Sequence, residues 1–88
     1  MNFSLEIINE KGLHARASAK FVETVERFDA QATVRRDGME VSGDSIMGLL
    51  MLAAGRGSAI DVTVEGAEAE ALATALRDLV GNRFGEES

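Results

Sequence analysis

Phe3, Leu5 and Ile7 alternate with Asn2, Ser4 and Glu6, a period of two that predicts a strand with one buried and one wet face. Asn9, Glu10, Lys11 and Gly12 break this rhythm, and Ser18, Phe21, Val22, Val25 and Phe28 then recur at three- and four-residue spacing. That spacing predicts a helix from Ala15 to about Arg27, with Glu23 and Arg27 one turn apart as a surface pair. Ala32, Val34 and Arg36 alternate with Thr33 and Arg35, and beyond Asp37-Gly38 the alternation resumes through Met39, Glu40, Val41 and Ser42. Asp-Gly between two alternating runs predicts a hairpin, because a type I′ turn needs positive φ at both central residues. Ser45 stands as N-cap before a very apolar helix expected over Ile46 to Ala54, which Gly55, Arg56 and Gly57 end. Ala59 to Glu65 reads as a β-branched strand with Ile60, Val62 and Val64 on one face. Ala69, Leu72, Ala73, Leu76, Leu79 and Val80 form a last helical stripe, acidic near its start and basic late at Arg77 and Arg83. Gly85 to Ser88 is expected to fray.

The order βαββαβα predicts an α+β open-faced sandwich, a four-stranded antiparallel sheet covered on one face by three helices. With 88 residues, one domain spanning 1–88 is expected and a large substrate cavity is not. The chain has no cysteine and one histidine, so neither a metal site nor a cofactor is expected. Fifteen acidic residues against nine basic ones, with no Trp or Tyr, argue against a nucleic-acid partner. Met1 to Glu10 carries no basic n-region, which points to a cytoplasmic protein. The longest uncharged run, Ser45 to Gly55, is eleven residues and cannot span a membrane that needs about 20.

The candidate chemistry gathers at His14. It follows Gly12-Leu13 and precedes the first turn of the first helix, where backbone N–H groups lack intrahelical partners and the helix dipole favours an anion. The N–H groups of Ala15, Arg16 and Ala17 form a candidate phosphate cradle, to which Arg16 adds a guanidinium fork. A neutral imidazole placed there is a competent nucleophile for a phosphoryl group. On spacing alone the ordinary reading, His14 as a surface loop histidine and Arg16 as a plain helix residue, outweighs this one, and the module also reads as a non-catalytic anion-binding or regulatory interaction domain. A freestanding enzyme is disfavoured, since no paired carboxylates, Ser-His arrangement or glycine-rich phosphate loop accompanies His14.

The run Lys11-Gly12-Leu13-His14-Ala15-Arg16-Ala17-Ser18-Ala19-Lys20-Phe21-Val22 resembles the active-site signature of the HPr family, the histidine-containing phosphocarriers of the bacterial phosphotransferase system. Gly43-Asp44-Ser45-Ile46-Met47-Gly48-Leu49-Leu50 resembles that family's second segment, around its regulatory serine. The resemblance implies a carrier: enzyme I phosphorylates His14 on Nδ1, Arg16 steadies the phosphoryl oxygens, and a sugar-type or nitrogen-type enzyme IIA receives the group. It also implies phosphorylation of Ser45 by an HPr kinase/phosphorylase. One departure stands out, Ala17 where the family usually has proline, which restores a backbone N–H and some flexibility.

The short helix carries two apolar sets, Leu49, Leu52 and Ala53 against Met47, Leu50 and Met51, and one of them is expected to stay exposed. Family analogy marks Ile46, Met47 and Leu50 as a docking surface beside His14, where methionines suit several partners in turn. Transient docking by a monomer is expected.

Overall fold

The computed structural model describes residues 1–88. Its alternating segments are the strands β1 (Asn2–Glu6), β2 (Gln31–Arg36), β3 (Met39–Ser42) and β4 (Ala59–Glu65). The segments with helical spacing are α1 (Ala15–Glu26), α2 (Ile46–Met51) and α3 (Ala69–Gly81), followed by a 3-10 turn at Arg83–Gly85. The strands form one antiparallel sheet in the order β1-β4-β2-β3, so β4 inserts between the first two strands of the chain. Asp37 and Gly38 both take positive φ, 51° and 78°, as the primed hairpin turn between β2 and β3 requires.

Register places the apolar positions on one face: Leu5 lies opposite Ile60, and Val62 lies between Phe3 and Val34. Leu5, Ile7, Ala32, Val34, Ile60, Val62 and Val64 are buried there against Phe21, Val25, Leu49, Leu72 and Leu76 from the helices. The opposite face is a polar ladder in which Asn2, Thr63, Thr33 and Ser42 are cross-strand neighbours. This is the open-faced α+β sandwich, and α1 packs between α2 and α3. No helix is long and apolar enough to cross a membrane.

Three expectations are corrected. The apolar helix α2 ends at Met51 rather than Ala54, because Ala53 turns left-handed at φ 50°. The carbonyls freed there are taken by other elements: Arg36 Nη1 donates to Leu52 O at 2.9 Å and Leu13 N donates to Ala54 O at 2.9 Å. Ala53 is accordingly exposed, while Leu49 and Leu52 are buried. Arg27 does not pair with Glu23, since its Nη2 donates to Thr24 Oγ1 at 3.2 Å.

The C-terminus is not frayed. Phe84 is fully buried, and Lys20 Nζ donates to its carbonyl at 2.6 Å. Beyond it Ser88 Oγ donates to Glu10 Oε2 at 2.9 Å. A Phe side chain covers enough apolar area to anchor a short polar tail that the helical pattern leaves unassigned.

Candidate functional site

The loop from β1 to α1 is shaped by one glycine. Gly12 takes φ +66°, and a Cβ there would lie 2.6 Å from Ala54 O and 2.8 Å from Gly55 Cα. Only glycine tolerates both that conformation and that approach. Leu13 is then buried, Ser18 Oγ donates to its carbonyl at 3.2 Å, and the chain enters α1 with His14 as N-cap. His14 O accepts the first helical bond, from Ser18 N at 2.8 Å. The N–H groups of Ala15, Arg16 and Ala17 therefore have no intrahelical acceptor, and no side chain caps them.

His14 keeps 27% of its side-chain surface exposed. Its ring lines a solvent-open depression of about 330 Å³ with Lys11, Arg16, Lys20 and residues Gly85 to Ser88. Lys11, Arg16 and Lys20 converge on this depression and are met there by the carboxylates of Glu86 and Glu87, so what it offers an anion is the helix N–H groups and local donors rather than a surplus of positive charge. Arg16 is exposed and forms no ion pair, so its guanidinium is free for such a ligand. No group of three His, Cys, Asp or Glu side chains is placed to hold a metal ion.

Two residues of this site escape the sequence pattern. Glu86 Oε2 lies 2.5 Å from His14 Nε2. Asn9, fully buried, donates its amide to Gly12 O at 2.8 Å and to Glu86 Oε1 at 3.0 Å. Burial raises the Glu86 carboxyl. The hydrogen bonds from His14 and Asn9 and the charges of His14 and Lys11 outweigh it, holding the group below its ordinary value. The readable signal for Glu86 was Phe84, a lone large apolar residue in a polar tail. Asn9 carried none, because a polar residue after a strand looks like any loop residue.

Ser45 caps α2, its Oγ accepting from Gly48 N at 3.0 Å. Ile46, Met47 and Leu50 are all exposed, Met47 most of all at 71%. Of these three only Leu50 shares a surface depression with His14, together with Lys11, Leu13, Ala53, Ala54 and Gly55. Ile46, Met47 and Ser45 sit at the start of α2, about one helical turn further along its axis. Ala17 is fully buried.

Comparison with known proteins places these features in context. Residues 1–82 match a family model described as the PTS HPr component phosphorylation site. The phosphocarrier protein HPr of Neisseria meningitidis serogroup A is 51% identical over 84 residues, covering 94% of this chain and 93% of that protein. The phosphocarrier protein HPr of Xylella fastidiosa Temecula1 is 40% identical, covering 100% and 99%. A crystal structure of HPr-C-His from Thermoanaerobacter tengcongensis superposes with a TM-score of 0.94 at 39% identity, covering 100% of this chain and 99% of that one.

Proposed function

The chain belongs to the HPr family of phosphocarrier proteins, and from that membership we propose that His14 accepts a phosphoryl group from phosphorylated enzyme I and passes it to an enzyme IIA. The observation that carries this reading is the position of His14. It caps α1 where three N–H groups lack acceptors, and its ring shares one open depression with the unpaired Arg16. Those N–H groups and the guanidinium suit the oxygens of a phosphoryl group held on the ring, by direct hydrogen bonds and by the helix dipole. A relay also needs a group that leaves as readily as it arrives, so a shallow site serves better than an enclosing pocket. The protein is then a cytoplasmic phosphoryl carrier, one domain acting as a monomer, rather than a freestanding enzyme.

The acceptor is of the sugar or the nitrogen type, and Ile46, Met47 and Leu50 form the apolar part of the docking face. Ser45 is the regulatory position for an HPr kinase/phosphorylase: its hydroxyl already sits at a helix N-terminus, where a phosphate is electrostatically favoured, and the added charge would repel an acidic partner. Intact mass after incubation with enzyme I, magnesium and phosphoenolpyruvate tests the central claim. One acid-labile phosphoryl group is expected on the parent protein and none on His14→Ala. An unmodified parent with an enzyme I of proven activity overturns it.

A further inference from the structure

The buried amide of Asn9 and the carboxylate of Glu86 form a directed chain of hydrogen bonds that ends on the His14 ring. Gly12 O can only accept, so its 2.8 Å contact requires the NH2 end of Asn9. The same NH2 donates its other proton to Glu86 Oε1 at 3.0 Å. The second carboxylate oxygen is then aimed at His14 Nε2, at 2.5 Å. An ionised carboxylate accepts hydrogen bonds and donates none, so at this distance the ring proton belongs on Nε2.

We infer that Asn9 and Glu86 are positioning residues that hold the proton of the neutral His14 ring on Nε2 and so present the Nδ1 lone pair to the incoming phosphoryl group. The inference rests on the phosphocarrier reading and specifies how that site is prepared. In the transfer step the Nδ1 lone pair forms the bond to phosphorus, while the bond to the donor's leaving atom breaks and its electron pair departs with the donor. The proton stays on Nε2. The ring gains positive charge as Nδ1 becomes bonded, and Glu86 faces that charge. Glu86 meets the ring at Nε2, the nitrogen that forms no bond to phosphorus, so it acts through His14.

The chain of contacts makes an unusual prediction for Glu86→Gln. Gly12 O still fixes the direction of Asn9, and the NH2 of Asn9 still needs an acceptor, which is now the Gln amide oxygen. The Gln NH2 therefore points at His14 Nε2 and donates to it, driving the ring proton to Nδ1. A substitution that keeps size and shape inverts the tautomer, whereas Glu86→Ala only releases the ring.

The experiment is a long-range 1H–15N correlation of the imidazole at alkaline pH, with circular dichroism to verify folding. It is paired with phosphorylation kinetics using enzyme I and phosphoenolpyruvate. The parent is expected to show a protonated Nε2 and an unprotonated Nδ1, and Glu86→Gln the reverse. Phosphorylation of Glu86→Gln should slow about ten-fold in kcat with KM for the donor little changed. Adding Asn9→Ala frees the Gln amide to turn, and the parental tautomer should return. An unaltered tautomer in Glu86→Gln, with the parent still accepting phosphate, overturns the positioning role alone. A parent that accepts no phosphoryl group overturns the carrier reading, and with it any role of Glu86 in transfer.

Discussion

Glu86 holds His14 across 72 positions of sequence, its Oε2 2.5 Å from the imidazole Nε2. The contact joins the C-terminal tail to the loop that opens α1, and both side chains lie mostly within the surface, 15% and 27% exposed. It makes the end of the chain part of the site.

This contact carries a pH signature. The Glu86 carboxyl lies below its ordinary value in the folded protein, and a group depressed on folding contributes stability above its unfolded pKa. That contribution is lost as pH falls through the folded value. Thermal denaturation should therefore show stability falling as pH drops from the ordinary value of 4.5 down through the lower folded value. Glu86→Gln should lack that fall while matching the parent's other acid transitions. Identical pH profiles for the two proteins would show that the contact adds nothing to folding.

Phe84 anchors the tail that delivers Glu86. Its ring is fully buried, so Phe84→Ala should lower unfolding free energy by about 3 kcal/mol through lost burial and the cavity left behind. Glu86→Ala, which empties no core space, should cost far less. Urea titrations of the two variants separate the anchor from its cargo, and equal losses would contradict this division.

Gly12 sets the loop that presents His14. Gly12→Ala forces a left-handed alanine into contact with Ala54 O and Gly55, a strain of about 2 kcal/mol or more. Because Leu13 N must keep its bond to Ala54 O, the loop should yield and move His14. Reduced stability together with slower phosphorylation is expected. A variant as stable as the parent would mean that the segment after α2 gives way freely.

Ala17 is the third residue of α1, and its N–H has no intrahelical acceptor. Proline there removes no helical bond and restricts the unfolded chain, so Ala17→Pro should raise stability by about 0.5 kcal/mol. A stiffer first turn should also alter the rate of phosphoryl transfer. Chemical denaturation and stopped-flow transfer measure the two effects, and unchanged kinetics would remove Ala17 from the cradle's behaviour.

Much of this molecule is written in local pattern. Alternation at Phe3, Leu5, Ile60, Val62 and Val64 and the three-four spacing of Phe21, Val25, Leu72 and Leu76 identify strands and helices, because a period of two or 3.6 puts those side chains on one face. Asp37-Gly38 marks its turn through backbone sterics alone, and Ser45 marks its cap. His14, Arg16 and the N–H groups between them are close in sequence, so the central part of the candidate site was legible too. The failures have two causes: the end of α2 and the fate of the tail were decided by partners on other elements, and the place of Arg27 by a competing acceptor, Thr24, on its own helix.

The sequence by itself determined the elements, the faces that the strands, α1 and α3 bury and the histidine at the head of α1, since periodicity, turn sterics and helix-end chemistry act over a few residues, whereas the buried side of the apolar helix α2 was left between two sets. Only the tertiary structure decided that β4 lies between β1 and β2, that Phe84 is a core residue and that Asn9 and Glu86 meet at His14. Those contacts join residues tens of positions apart, and no local pattern encodes them. They depend on which apolar faces pack together and on which buried polar atoms then find partners.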